Sequence, residues 1–257
     1  ASAATGMSVR LFTGLVDGWP QEYEPPRLGL VNLTATDMQS ILAKTESQSV
    51  WEQEVRDDSP THWYRRGEQS GTVAQDVVGS SHGTYVGGTT FNRRDGLIYG
   101  DDDGALAFPA DTNTYVNLDV AVLPSGSFSL TTRFVLADPG VGSVYFLSAT
   151  NTGTGATIDF YVTNGKVTLL VAPDTTTEFQ YRSSNNVNDG AEHTATATYN
   201  EATNAIETWV DGGDVPTLVS ATAAGRPTSF HVLTMGLATL DFVMDEMVIH
   251  DSVISDA

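Results

Sequence analysis

The chain has no cysteine. Disulfides and thiolate metal sites are therefore excluded, and the fold must rely on its apolar core or on a bound ion. Cations are scarce: 12 Lys and Arg stand against 32 Asp and Glu, a formal net charge of −20. A protein that tracks phosphates needs a basic stripe, so this balance argues against nucleic acid as a partner. An acidic surface can instead attract cations. There is no run of about 18 apolar residues, so no membrane insertion is expected. No charged segment followed by an apolar run opens the sequence, so no secretion signal is expected either. No His-Glu-x-x-His or His-x-His spacing occurs among the five histidines, which leaves no pattern for zinc chemistry.

What is present is a 257-residue chain with 40% hydrophobic residues, enough for a packed core. Its pattern changes near Trp63. Before that point, Leu28 to Thr34 alternates apolar and polar residues and reads as a strand. Met38, Ile41 and Leu42 recur at helical spacing after Thr36 or Asp37 as N-cap, which predicts a helix over 37–44. A second helical piece is expected over Ser49 to Arg56, stopped by Asp57-Asp58-Ser59-Pro60. Residues 1–62 are too short and mixed to bury a good core alone, and they read as a small mixed α/β segment that docks on a neighbour or is completed by another chain.

From residue 63 to 257, short β-rich runs alternate with Gly, Asn, Asp and Pro turns. Phe128–Leu136, Ser143–Ala149, Thr157–Thr163, Lys166–Ala172, His193–Tyr199, Ala205–Val210, His231–Leu237 and Leu240–Asp251 are the longest expected strands. This spacing predicts a mainly β domain, a two-sheet antiparallel jelly-roll sandwich. Asn164-Gly165 between two apolar runs predicts a two-residue hairpin turn.

A glycosidase on such a sandwich needs two carboxylates close together. No Glu-x-Asp-x-x-Glu segment supplies them, and the adjacent Asp245 and Glu246 are expected on opposite faces of their strand. A site assembled from scattered carboxylates stays open. Asp101-Asp102-Asp103 lacks the ligand spacing of an EF-hand and reads as a solvated turn. Tyr145, Tyr161, Tyr181 and Trp209 are candidates for stacking on sugar rings. Each could equally fill the core, and the sequence does not assign their faces, because one register step moves every side chain to the other side.

Tyr64-Arg65-Arg66-Gly67-Glu68-Gln69-Ser70-Gly71-Thr72, then Asp76, Gly79 and Gly83-Thr84-Tyr85, resembles the opening of concanavalin A-like, laminin-G-like jelly rolls. Trp209-Val210-Asp211-Gly212 and Met244-Asp245-Glu246-Met247-Val248-Ile249-His250-Asp251 resemble that family's later hairpin and closing strand. Trp209 stands where the family usually has Tyr or Phe, and His250 where it has Tyr. The resemblance implies a calcium ion joining the loop of Asp76 to the closing strand. Asp76 and Asp245 would give carboxylates, and Gly79 and His82 backbone carbonyls, toward the six to eight oxygens that Ca²⁺ takes. The alternative is that Asp76 makes only an Asx-turn and that Asp245 faces solvent.

Leu11 to Trp19 (L-F-T-G-L-V-D-G-W), Val31 to Met38 (V-N-L-T-A-T-D-M) and the break at Asp58-Ser59-Pro60 resemble minor tail proteins of long-tailed actinobacterial phages. That resemblance implies a tail-attachment segment over residues 1–62 and a location on the virion. The expected partners are other phage tail proteins and a host-surface glycan, bound without catalysis by several copies. A polysaccharide-degrading enzyme and a purely structural tail decoration are the rivals.

Overall fold

The computed structural model describes residues 15–18, 21–22, 30–31, 34–36, 49–68, 70–87, 92–98, 104–111, 113–137, 142–213, 217–221 and 225–254. The helix expected over 37–44 and the turn at Asp101–Asp103 lie outside them. The chain divides into two units, Ala1–Ser49 and Val50–Ala257. In the first, β1 (Leu15–Gly18) pairs antiparallel with β4 (Thr34–Thr36), and β2 (Gln21–Glu22) with β3 (Leu30–Val31).

The second unit is the β-sandwich. One antiparallel sheet runs β18 (Thr217–Ala221), β15 (Phe179–Arg182), β14 (Lys166–Ala172), β13 (Thr157–Thr163), β12 (Ser143–Thr150), β19 (Val232–Ala238), β10 (Tyr115–Leu118), β7 (Gly83–Val86), β6 (Val73–Ala74). The other runs β17 (Ala205–Val210), β16 (Glu192–Asn200), β11 (Phe128–Val135), β20 (Phe242–His250), β9 (Gly104–Phe108), β8 (Asn92–Asp95), with β5 (His62–Tyr64) also paired to β20. Asn164 and Gly165 both take positive φ, as the tight β13–β14 hairpin requires.

Alternation explains most of the burial. Ile158, Phe160 and Val162 of β13 point into the core beside Val167, Leu169 and Val171 of β14. The centre is aromatic. The Phe146 ring lies 4.6 Å from Phe134, 5.1 Å from Phe160 and 6.3 Å from Phe242, and Phe242 stacks on Phe108 at 5.0 Å. Aromatic pairs at these distances add to the stability that their buried area gives.

Two β-bulges interrupt the alternation. In β12 the register steps from Tyr145↔Tyr161 to Leu147↔Phe160, so Phe146 is an extra residue and turns inward beside Leu147. In β20 it steps from Phe134↔Met244 to Thr132↔Met247, so Asp245 and Glu246 together face Arg133. Met244 and Met247, three residues apart, both enter the core. The expectation that Asp245 and Glu246 lie on opposite faces therefore fails as a rule of alternation, because the bulge resets the parity.

Helix α1 (Val50–Asp57) covers the outer face of β5 and β20. Val55 packs with Trp63 and Val248, and Trp51 lies against them. Glu246, fully buried, accepts a hydrogen bond from the Trp63 indole and sits 3.7 Å from Arg65. Glu52 pairs with Arg56 at 2.9 Å and with Arg65 at 3.5 Å, and both guanidiniums lie over the Trp63 ring. Apolar burial carries this contact. The charges compensate one another's desolvation rather than adding much on their own.

Candidate functional site

The outer face of the larger sheet is set by register. Tyr145 stands opposite Tyr161, Ser148 opposite Asp159, and Thr150 opposite Thr157. On one side the next strand adds Leu237, Thr234 and Val232 to these rows. On the other, Thr168 and then Arg182 extend the tyrosine row, and Leu170 and Gln180 the Asp159 row. The strip thus carries aromatic rings beside a line of hydroxyl, carboxylate and amide groups.

Tyr145 and Tyr161 stack with centroids 5.2 Å apart and an interplanar angle of 14°. Tyr161 is 8% exposed, while Tyr145 is half-buried and presents the free side of the pair. The Asp159 carboxylate accepts hydrogen bonds from Ser148 Oγ at 2.6 Å and Thr157 Oγ1 at 3.1 Å. Burial pushes its pKa up, against those two hydrogen bonds. Burial, then the charge of Asp159, also raises Tyr145, and burial, Asp159 and Tyr145 push Tyr161 up to about 12. Both phenols therefore stay neutral donors at physiological pH.

The other two aromatic candidates lie elsewhere. Tyr181 is opposite Leu169, an inward residue, and packs against the core. Trp209 belongs to the second sheet, where it pairs with Thr196 between the inward Thr208 and Val210. Tyr145 and Tyr161 are brought together; Tyr181 and Trp209 do not join them.

Asp76 occupies the corner where the sheets meet. It follows β6 of the larger sheet and bridges Tyr64, which pairs with Met247 of the closing strand. The loop and closing strand thus flank β5, one on each side. Asp76 Oδ1 accepts from the backbone N–H groups of Trp63 at 3.1 Å, Val78 at 3.3 Å and Gly79 at 2.9 Å. Oδ2 accepts from Ser81 N at 3.4 Å and meets His62 Nδ1 at 2.7 Å. Gly79 is required by this close approach, since a Cβ there would stand 2.4 Å from Asp76 Oδ2.

The expected calcium cage does not fit this donor set. Asp76's oxygens already face N–H groups, that of Gly79 among them. His82 uses its Nδ1 to accept from Asp76 N. Asp245, fully buried rather than solvent-facing, accepts from Leu97 N at 2.7 Å. Among the described residues no group of three or more His, Asp or Glu side chains could hold a metal. Neither added Ca²⁺ nor a chelator is therefore expected to move the melting temperature. A rise in Tm with Ca²⁺, read by calorimetry, would contradict this geometry.

The residues Gly79-Ser80-Ser81-His82-Gly83 match the Gly-x-Ser-x-Gly spacing of a nucleophile elbow. An elbow turns from a strand into a helix and exposes its serine. Here the segment leads into strand β7. Among the described residues no hydroxyl is hydrogen-bonded to His62, so the His62–Asp76 pair lacks a nucleophile and acts as a structural clasp.

No protein-family model and no curated protein matches the chain. Solved structures do. A botulinum neurotoxin serotype D/C binding domain superposes with a TM-score of 0.57 at 10% identity, over 78% of this chain and 50% of that one. A type C neurotoxin structure, described as dependent on interaction with two ganglioside molecules for its uptake into cells, gives 0.58 at 11% over 78% and 49%. A type DC binding domain in complex with rat synaptotagmin II gives 0.54 at 12% over 78% and 50%. The chain spans about half the length of these structures. The likeness establishes the antiparallel β-sandwich and shows that this architecture serves as a receptor-binding domain elsewhere.

Proposed function

We propose that the sandwich is a non-catalytic recognition module that takes carbohydrate on its larger sheet, against Tyr145 and Tyr161. The stacked tyrosines, flanked on the same face by Ser148, Asp159 and Thr234, carry the reading. A sugar ring offers an apolar face to an aromatic ring and hydroxyls to polar neighbours, and this strip holds both in adjacent rows. The adjacent carboxylates that could have suggested hydrolysis, Asp245 and Glu246, are fully buried and cannot reach a polymer.

The setting we propose is a phage tail. The segments Leu11–Trp19 and Val31–Met38 support it by their likeness to minor tail proteins, with other tail proteins and a host-surface glycan as partners. Weak individual sites would gain strength from several copies on one virion. The matched toxin domains show one such sandwich in a protein whose uptake depends on gangliosides, which supports glycans as the ligand class.

The test is a glycan array, followed by titration of the strongest hit. Tyr145→Ala is expected to weaken binding about tenfold or more, by loss of the stacking face, in a chain that still folds cooperatively with a Tm lowered by only a few degrees, roughly the loss of one ring pair. Retention of full affinity in this variant, or no binding to any glycan or to host cells, would reject the site and favour a structural tail decoration.

A further inference from the structure

A second recessed site lies at the opposite end of β12 from Tyr145, and we propose that it binds a saccharide carrying a carboxylate. The cleft, about 420 Å³, opens between the 3₁₀ turn Val120–Val122 and the segment 225–230. Val120, Leu123, Ser125, Arg226, Thr228 and Phe230 line it, and among the described residues no carboxylate does. In a chain with a net charge of −20, that is an uncommon composition for a recess.

Arg226 is held ready rather than free to swing. Its Nη1 donates to the Ser125 carbonyl at 2.8 Å and its Nη2 to the Pro124 carbonyl. The guanidinium lies 5.8 Å from the ring centres of both Phe128 and Phe230. These contacts fix the plane of the fork while leaving a second N–H on each terminal nitrogen. Among the described residues no salt bridge neutralises the charge; burial lowers the guanidinium's pKa, and the fields of Tyr199 and Glu201 oppose that. A pre-oriented arginine with unspent donors suits a carboxylate better than a neutral hydroxyl. Phe230 supplies a ring for the apolar face of a pyranose, and Ser125 and Thr228 supply hydroxyls. A bare anion would leave the apolar part of the recess unused, so the geometry favours a sugar acid over a simple carboxylate.

This site does not depend on the tyrosine strip, and the experiment separates the two. The whole chain would be titrated with D-glucuronic acid and N-acetylneuraminic acid, with glucose and acetate as controls. The sugar acids are expected to bind about tenfold or more tighter than either control, as charge-assisted hydrogen bonds to a site built for them would give. Arg226→Gln removes the charge, and Thr228→Trp fills the cleft from an exposed position. Each should weaken sugar-acid binding about tenfold or more, in a Tyr145→Ala background as well as in the wild type, so that the tyrosine strip is removed from the reading. Because Arg226 also ties down a loop, Thr228→Trp is the deciding variant, with folding confirmed by its melting curve. Equal binding of glucose, equal binding of acetate, no binding of either acid, or wild-type affinity in folded Thr228→Trp would each overturn the proposal.

Discussion

Replacing Asp76 with alanine is expected to cost roughly 3–5 kcal/mol of stability, since each buried donor left without its acceptor costs about 1–3 kcal/mol. The backbone N–H groups of Trp63, Val78 and Gly79 and the ring of His62 lose their shared acceptor together. At about 2–4 °C per kcal/mol for a domain of this size, Tm should fall by roughly 6–20 °C. Asp76→Asn, which keeps one acceptor oxygen, should fall by less. The pH dependence is a second signature. Burial opposes ionisation of Asp76, but the hydrogen bonds from His62, Trp63 and Gly79 outweigh it and hold its pKa below the ordinary value. The folded chain thus binds fewer protons than the unfolded chain near the unfolded pKa of about 3.9. The stability from this group is present in full above that pH and is lost as pH falls through the depressed folded value. Asp76→Asn should flatten this acid limb, measured by denaturant unfolding at a series of pH values. A mutant with wild-type stability and an unchanged limb would show that the clasp contributes nothing.

Gly236→Ala is expected to be nearly as damaging, for a different reason. Gly236 lies opposite the bulged Phe146 with φ +80, and a Cβ there would stand 2.3 Å from Cε1 of the buried Phe108 ring. The left-handed backbone costs an alanine about 1–2 kcal/mol, and forcing the ring aside adds roughly 1–3 kcal/mol. Phe108 cannot retreat easily, since it stacks on Phe242 and lies under the Arg66 guanidinium. Gly212→Ala is the internal control: its φ is +68, but nothing lies within 4 Å of the added methyl. The Gly212 variant should lose only the backbone part, and the difference in unfolding free energy between the two measures the packing part. Equal losses would mean that the core beside Phe108 yields freely.

The fold was legible because the strands carry their own signal. Ile158, Phe160 and Val162, then Asn164-Gly165, then Val167, Leu169 and Val171 specify a hairpin and its buried face without outside help. The candidate site was less legible, for a reason of parity. Tyr181 is as aromatic as Tyr161, but its register opposite Leu169 turns it inward, and no composition rule separates the two. The bulges at Phe146 and at Asp245-Glu246 shift the faces of neighbouring residues by one step, and an unbroken period of two cannot foresee them. Asp76 bridges β5, and its oxygens meet His62 and the N–H groups of Trp63, Val78, Gly79 and Ser81. Loop N–H groups converge on a carboxylate as readily as a carboxylate converges on a metal, and the sequence Asp-x-x-Gly serves both. The Arg226 cleft left no trace in the sequence, because its parts come from segments about one hundred residues apart that only the tertiary fold joins.

Strand β20 is buried along its whole length and lies between β11 on one side and β5 and β9 on the other. Every strand it joins precedes it in the chain. On the ribosome, therefore, the smaller sheet must wait with its middle missing until Phe242–His250 has emerged. Completion is a late insertion of distant partners, which is slow for chains dominated by long-range pairing. Until that moment the edges of β11 and β9 that β20 will cover stand open, and the net charge of −20 sets up a repulsion that opposes the pairing of neighbouring nascent copies through them.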